Sequence, residues 1–382
     1  MKWIGEFRDP HLARGLVAAI HAAVDRQRPY RLMEFCGGHT HVLYRHGLPG
    51  LMPTNVTFVH GPGCPVCVLP PERIDAAIHL SQQAGVVLCT YADLLRVPGS
   101  GGRSLQTAKS RGADVRMVGS TRDALALARS LPGRDVVMMA IGFETTTPAS
   151  AAVLREARDT QVGNFSLLCN HVLTPPAIMA LFAPGDAADA LPIDGILGPA
   201  HVSAIIGTRP YEVCARAANR PVVIAGFEPL DLLMATLMLI RQINDGRCDV
   251  ENEYTRLVDR DGNRKAQALM AEVMVPRERF VWRGLGELPH SALALRPEFA
   301  PWDAEARFDW PHSPGQEVRG CLCPDILRGR RTPIQCPLFG SACTPETPVG
   351  ACMVSSEGAC AAWWHHRPGR NALDRASREG SS

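Results

Sequence analysis

Residues 136–144 read VVMMAIGFE, and residues 222–228 read VVIAGFE. Each stretch is an apolar run that leads into Gly-Phe-Glu and then into residues with helical spacing. Short apolar runs without polar alternation are typical of strands that a parallel sheet buries on both faces. Ligands of open α/β sheets bind beyond the carboxyl ends of the strands, so the two matching strand ends indicate two α/β halves that face one cleft.

Similar runs and helical patterns alternate through most of the chain. Apolar runs predict strands at residues 31–35, 56–60, 86–90, 115–118, 136–141, 165–170, 195–197 and 222–225. Helical spacing predicts amphipathic helices at residues 9–26, 71–83, 121–131, 147–157 and 210–218. This alternation predicts the α/β class, with two α/β domains whose mainly parallel sheets face a central cleft.

The pattern changes from about Val275, where Pro, Gly, Trp and Arg become frequent and helical or strand periodicity fades. Six of the 13 cysteines lie in the cysteine-rich segment, residues 321–360. We expect the order of this third part to depend on something other than a large apolar core, and the polar tail after Arg367 to fray. The predicted parts are an N-terminal helical segment at 1–30, α/β domains at 31–135 and 136–270, and an irregular or helical domain at 271–382.

The composition and net charge exclude several classes of protein. The 382 residues are 46% hydrophobic and 20% charged, which excludes a disordered chain. The 40 basic and 38 acidic residues leave a charge of +2, so we expect no nucleic-acid partner and no membrane partner. We expect a cytoplasmic protein, because no apolar stretch approaches the roughly 20 residues of a membrane span. Cytosolic thiols stay reduced, so the cysteines point to metal or redox chemistry.

The first motif is CGGHTH at residues 36–41, directly after a predicted strand. Thiolate is a strong soft metal ligand and imidazole a good borderline one, and two glycines allow close approach of the backbone to a ligand. Cys36 and His39 therefore form a candidate metal or catalytic centre. The alternative is a glycine-rich turn with one buried cysteine and a capping histidine.

The second motif is GPGCPVC at residues 61–67, also at a strand end. The pair Cys64 and Cys67 can close a disulfide reversibly, and a helix that begins there would lower the pKa of the first thiol. The same spacing could supply half of a zinc site or form a purely structural turn. We favour the redox dithiol.

The two Gly-Phe-Glu motifs place Glu144 and Glu228 at predicted helix starts. A carboxylate there is ordinarily a cap that the helix dipole stabilises. If both lay at one cleft, they would be candidates for proton handling or for binding a partner's polar groups.

The fourth constellation is Cys323, Cys336, Cys343 and Cys360, separated by 12, 6 and 16 residues. Four thiolates suit an iron–sulfur cluster, whose binding also stabilises a segment with a small apolar core. Tetrahedral zinc fits the ligand count equally well, but the paired knuckles of most zinc ribbons are missing. Cys321 and Cys352 are additional, so the choice of four ligands is not forced.

Together these motifs closely resemble the HypD family of [NiFe]-hydrogenase maturation factors. The resemblance rests on the motifs at residues 36–41, 61–67, 142–146, 226–231 and 354–360, and it covers essentially the whole chain. It implies two α/β domains and an iron–sulfur domain against which the N-terminal segment packs. It also implies an assembly scaffold with redox activity rather than a conventional turnover enzyme.

The resemblance further implies partners, cofactors and roles. With a HypC-type chaperone and a HypE-type cyanide donor, the family assembles Fe(CN)2CO and passes it to the hydrogenase large subunit. Cys36 would bind the iron and His39 would support it. From its Gly-Phe-Glu motif, Glu228 is a further candidate catalytic residue. Cys64 and Cys67 would be the redox pair, and the four C-terminal cysteines would hold a [4Fe-4S] cluster.

Two other functions fit parts of the pattern. A stand-alone iron–sulfur thiol/disulfide oxidoreductase would use the cluster and Cys64/Cys67, but it gives Cys36 and His39 no role. A zinc-stabilised binding protein without redox activity would be colourless.

Overall fold

The computed structural model describes residues 5–182 and 191–366. The tail after Arg367, where we expect fraying, lies outside these residues. The strands are β1 (Tyr30–Glu34), β2 (Val56–His60), β3 (Val86–Thr90), β4 (Val115–Met117), β5 (Asp135–Gly142), β6 (Phe165–His171), β7 (Gly195–Pro199), β8 (Val222–Ala225), β9 (Val250–Asn252), β10 (Met274–Pro276), β11 (Arg279–Trp282), β12 (Gly286–Pro289) and β13 (Leu293–Leu295).

A 3-10 turn at Gly5–Arg8 precedes the first α-helix. The helices are α1 (Pro10–Ala23), α2 (Gly37–Arg45), α3 (Pro65–Val68), α4 (Pro71–Ser81), α5 (Leu105–Ser110), α6 (Thr121–Ser130), α7 (Thr147–Asp159), α8 (Thr174–Leu181), α9 (Ala200–Ile206), α10 (Arg209–Ala218), α11 (Pro229–Asn244), α12 (Arg264–Val273), α13 (Ala304–Arg307), α14 (Cys323–Leu327), α15 (Ala351–Val354) and α16 (Ala359–His366). No helix in the described ranges has both the length and the apolar character to cross a membrane.

Two parallel sheets organise the described part of the chain. The first sheet has the order β2-β1-β7-β8-β9, and the second has the order β4-β3-β5-β6. All neighbouring strands in both sheets run parallel. The predicted α/β class with parallel sheets is therefore confirmed, and the eight predicted strands fall within two residues of the observed ones.

The sheets are not contiguous in the sequence. The chain enters the first sheet with β1 and β2, builds the whole second sheet, and returns to the first sheet with β7. The predicted division at residue 135 falls at the start of β5, which pairs with β3. The sheets therefore do not follow the contiguous division, because parallel pairing depends on crossovers that apolar runs alone do not reveal.

Helices cover both faces of each sheet. On one face of the first sheet, Leu32 and Leu197 pack with α1, α2 and α11, while Met33 and Ile196 face α9 and α10 on the other side. Neighbouring residues of one strand thus enter different cores, as the two-residue period of a strand requires. Helix α1 packs mainly against α11, which corrects the expectation that it packs on the C-terminal part.

The C-terminal part is more ordered than the sequence indicates. It opens with two antiparallel pairs, β10 with β13 and β11 with β12. Trp282, Ile326 and Leu327 are buried in the same apolar core as Leu88 and Met139 of the second sheet. The expectation of a segment without a substantial core is therefore wrong, because this segment shares the core of its neighbour.

An ion network fastens this part to the second sheet. Glu305 of α13 accepts hydrogen bonds from Arg73 of α4, at 2.7 Å, and from Arg277, at 3.0 Å. Arg73 also donates to the β6 residues Asn170, at 2.5 Å, and Cys169, at 3.1 Å. Burial alone would raise the pKa of Glu305, but the two guanidinium groups outweigh burial and lower it to about 2.

We expect Glu305→Ala to lower the free energy of unfolding by about 3 kcal/mol, because it leaves two largely buried guanidinium groups without their anion. A depressed folded-state pKa stabilises the fold above the unfolded pKa of about 4.3, so this contribution should disappear as the pH falls from about 4 towards 2. Urea denaturation across this pH range measures both effects. Glu287→Ala is the control, because its pair with Arg279 is exposed and should contribute under about 1 kcal/mol. Equal losses in the two variants would contradict the prediction.

Candidate functional site

A cleft of about 550 Å³ lies where strands of both sheets end. Its walls include Cys36 after β1, His201 after β7, Tyr91 after β3 and Phe143 after β5. Glu357, between α15 and α16, closes one side. The carboxyl ends of parallel strands are where α/β proteins ordinarily bind ligands, so this cleft is the candidate site.

Cys36 is the N-cap residue of α2 and is partly exposed in the cleft. Burial and the charge of Glu357 raise the pKa of its thiol to about 12, although the backbone N–H groups of Gly38 and His39 oppose the shift. Without a metal, the thiol is therefore protonated at neutral pH. A bound cation would favour the thiolate, which two N–H groups at the helix start would also stabilise.

Two glycines allow the backbone segments around Cys36 to touch. A Cβ atom at Gly63 would lie 2.4 Å from the backbone nitrogen of Cys36, and one at Gly37 would lie 2.3 Å from the Cβ atom of Glu357. The dithiol motif and the C-terminal part therefore both pack directly against the Cys36 turn. Only residues without a side chain permit this approach.

His39 does not face the cleft. It is fully buried, its Nε2 lies 2.9 Å from the carbonyl oxygen of Ala225, and burial lowers its pKa to about 4. It therefore supports the Cys36 turn as a neutral imidazole that holds the end of β8. Its Nδ1 is buried and has no hydrogen-bond partner among the described residues.

The imidazole that does line the cleft is His201, which sequence analysis missed. Its ring stacks on Phe227 with centroids 3.9 Å apart, and the same phenyl ring contacts His39 at 5.0 Å. His201 lies two residues beyond the end of β7. The available signal was its position directly after a predicted strand. That signal did not identify His201, because sequence alone did not show that β7 lies beside β1.

Cys64 and Cys67 form a disulfide with Cα atoms 5.2 Å apart. Cys64 is the N-cap of α3, and its sulfur accepts the backbone N–H of Cys67 at 3.2 Å, so a helix does begin at the first thiol. The two cysteines are 4% and 0% exposed, but Pro65 and Val66 between them line the cleft. The dithiol thus lies behind the cleft wall.

The two glutamates of the Gly-Phe-Glu motifs lie elsewhere. Glu228 caps α11, where its backbone N–H donates to Asp231 at 3.0 Å and its carboxylate pairs with Arg8. Glu144 is buried, accepts the N–H and hydroxyl of Thr174 at 2.9 Å each, and has a pKa that burial raises to about 7. Neither is among the described residues that line the cleft, so the capping interpretation describes Glu228 better.

The cysteine-rich segment gathers its thiols on the far side of α3. Helices α14 and α15, which carry Cys323 and Cys352, both pack against α3. Burial and the neighbouring thiols raise the pKa of Cys360 well above its usual value; these neighbours are Cys323, Cys321, Cys343 and Cys336. Among the described residues, no three His, Cys, Asp or Glu side chains are arranged around one point as ligands of a single ion.

One pair in this segment is unusually close. The sulfurs of Cys323 and Cys352 lie 2.7 Å apart. Two sulfur ligands of one tetrahedral metal at ~2.3 Å would lie roughly 3.8 Å apart. The two sulfurs are therefore too close together to be two ligands of one metal ion.

The fold and the cleft define a class of α/β protein in which a cysteine at a strand end lines the cleft, a buried cysteine pair lies behind the cleft wall, and a cysteine-rich segment packs against that pair. Residues 11–367 match the HypD family, described as the hydrogenase formation hypA family. The chain is 55% identical to the hydrogenase maturation factor HypD of Cupriavidus necator, over 97% of this chain and 98% of that protein. It is 45% identical to HypD of Escherichia coli K12, over 96% and 98% of the two chains. The chain belongs to the HypD family of hydrogenase maturation factors.

The charge around Cys36 predicts its reactivity. In the metal-free protein, alkylation of Cys36 by iodoacetamide should rise about tenfold per pH unit between pH 7 and 10 without a plateau, because the thiolate fraction is still increasing. Glu357→Gln removes a charge that raises the pKa, so the rate at pH 8 should increase about threefold. Peptide mass spectrometry measures both rates.

Glu298→Gln is the matched control, because Glu298 is exposed and is not among the cleft-lining residues. A plateau near pH 8 in the wild-type chain, or an equal effect of the control, would contradict this account of the thiol.

Proposed function

We propose that this chain is the scaffold on which the Fe(CN)2CO group of a [NiFe]-hydrogenase is assembled, with the iron held as cargo by the Cys36 thiolate. The observation that carries the proposal is the meeting of Cys36, the dithiol turn and the cysteine-rich segment at one cleft. Cyanide and carbon monoxide favour low-spin iron(II), for which a thiolate is a suitable co-ligand. The cleft offers one partly exposed thiol, walls that limit water, and an opening towards a partner.

The other groups of the cleft have supporting roles in this proposal. His39 and Phe227 support the Cys36 turn on the side away from the cleft, and His201 presents an imidazole to the cargo. Cys64 and Cys67 would act on the cargo across the wall formed by Pro65 and Val66. As a dithiol, the pair releases two electrons and two protons when the disulfide closes.

The cysteine-rich segment suits a [4Fe-4S] cluster by its chemistry. Thiolates are the usual cluster ligands, and a buried cation favours the anionic thiolate-ligated cluster. The contact with Cys352 is the main cause that lowers the pKa of the Cys323 thiol, and the nearby guanidinium of Arg283 lowers it further. Arg283 is 3% exposed, and its Nη2 has no hydrogen-bond partner in the described part of the chain. When bound, such a cluster supplies one-electron chemistry. Cys336, Cys343 and Cys360 would hold it together with one further cysteine.

The fourth ligand chosen from the sequence is Cys323, but its contact with Cys352 favours Cys321 instead. Cys321 is partly exposed, and partial burial, together with the nearby Cys323, Cys336 and Cys343, raises the pKa of its thiol. We therefore propose Cys321 as the fourth ligand and a Cys323/Cys352 pair beside the cluster.

We propose the partners that the family resemblance implies: a HypC-type chaperone that shares the iron, a HypE-type cyanide donor, and the hydrogenase large subunit, all in the cytoplasm. Access supports a shared iron, because the Cys36 thiol faces an open cleft. The stand-alone disulfide oxidoreductase is less well supported, because Cys64 and Cys67 are almost completely buried and a protein disulfide could not reach them without rearrangement.

Cys36→Ala tests the proposal. Anaerobic co-purification with a HypC-type partner should give wild-type protein with infrared bands of iron-bound cyanide and carbon monoxide, and the variant should lose them completely. The visible absorption of the cysteine-rich segment should persist, because Cys36 lies outside it. Cys248→Ala is the control, since Cys248 bonds Asn219 away from the cleft. Retention of the bands in Cys36→Ala would refute the proposed function.

The cluster ligands need a separate test. Cys321→Ser should lose most of the protein-bound iron and acid-labile sulfide, whereas Cys323→Ser should retain most of both, because only the first removes a ligand. Iron and sulfide analysis with absorption near 400 nm measures this difference. The opposite order would restore Cys323 as the ligand, and a colourless zinc-containing protein would refute the cluster.

A further inference from the structure

A buried chain of hydrogen bonds runs beneath the Cys36 turn. Glu34, the last residue of β1, is 1% exposed, and its Oε2 accepts the backbone N–H of Cys36 at 3.0 Å. Its Oε1 lies 2.9 Å from Nδ1 of His60, the last residue of β2, and accepts the hydroxyl of Thr40. The carboxylate thus joins the ends of two adjacent strands to the Cys36 backbone.

The chain continues into the C-terminal part. The indole Nε1 of Trp363 lies 2.7 Å from Nε2 of His60. An indole N–H can only donate, so Nε2 of His60 accepts and its Nδ1 carries the hydrogen that goes to Glu34. The three side chains therefore have one consistent direction of donation, from Trp363 through His60 to Glu34.

The position of Trp363 connects this chain to the cysteine-rich segment. Trp363 lies three residues after Cys360 on α16, so the two side chains project from neighbouring positions of one helix face. Helix α16 packs against α2, and Tyr44 of α2 contacts both Trp363 and His60, with ring centroids 5.2 and 5.6 Å away. The helix that carries a proposed cluster ligand is thus docked at the base of the Cys36 turn.

Burying this carboxylate is energetically unfavourable unless its oxygens are fully bonded, as they are here. An apolar side chain would fill the same space, but it would leave the Cys36 N–H without an acceptor. The arrangement makes the position of the Cys36 backbone depend on two strand ends and on a helix more than 300 residues away in the sequence.

We propose that Trp363, His60 and Glu34 form a relay of hydrogen bonds through which docking of α16 fixes the backbone of Cys36 in its cleft-lining position. The three are positioning residues. The relay rests on the proposed function in one respect, namely that Cys36 is the residue that holds the cargo. Order in the cysteine-rich segment is thereby transmitted to the cargo thiol through backbone geometry.

Trp363→Phe tests the relay, because it keeps an aromatic ring and removes the indole N–H donor, and the accompanying loss of ring volume is matched in Trp364→Phe. In the full chain with its iron and sulfide content measured, amide hydrogen exchange at Cys36 and its alkylation rate should both rise about fivefold to tenfold, with unchanged cluster content. Trp364→Phe is the matched control, a neighbouring indole on α16 whose ring contacts Phe339. Unchanged exchange in Trp363→Phe, or an equal rise in Trp364→Phe, would overturn the relay.

A second measurement does not depend on any variant. Nitrogen-15 spectra of histidine-labelled wild-type protein should show His60 as the Nδ1–H tautomer, and the Nε2–H tautomer would overturn the relay. Both measurements use the chain without cargo iron or partners. Their failure would leave the proposed function standing, whereas failure of the Cys36→Ala test would leave the hydrogen-bond relay intact.

Discussion

The packing of α3 in a shared core determines where the reactive groups of this protein lie. This one-turn helix lies against β5 of the second sheet on one side and against α14 and α15 on the other. Cys67 is fully buried there, and the preceding Gly63 touches the Cys36 backbone. Because the core is closely packed, displacing α3 would move the Cys36 turn, the dithiol and the cysteine-rich segment together.

Burial also sets the charge state of the site. Glu34, Cys36 and His39 all have pKa values shifted towards the neutral form, with loss of hydration as the largest cause. Burial keeps Cys36 a thiol and His39 a neutral imidazole, and the thiol becomes a thiolate chiefly when a cation arrives. Such a site would keep the thiol unreactive until a cation, which we propose to be iron, is bound.

Local pattern predicted the strands well because strand formation in a buried sheet depends on short apolar runs. Three predicted strands, at residues 56–60, 86–90 and 222–225, have the observed bounds. Sheet membership could not be predicted in the same way, because the pairing of β1 with β7 joins residues 163 positions apart, such as Leu32 and Gly195. The contact of α1 with α11 and the shared core of the C-terminal part were missed for the same reason.

The residues of the candidate site also fall into those that local sequence could predict and those that it could not. Cys36, Cys64 and Cys67 lie together because each follows a strand end, which the sequence displays. Glu228 follows a strand end too, but its strand lies further along the sheet and its carboxylate is occupied by Arg8. His201 is the converse case. No motif marks it in the sequence, but it lines the cleft because its strand β7 lies beside β1, which Cys36 follows. Strand order therefore determines which residues line such a cleft. Motifs in the sequence identify only the residues that are candidates for it.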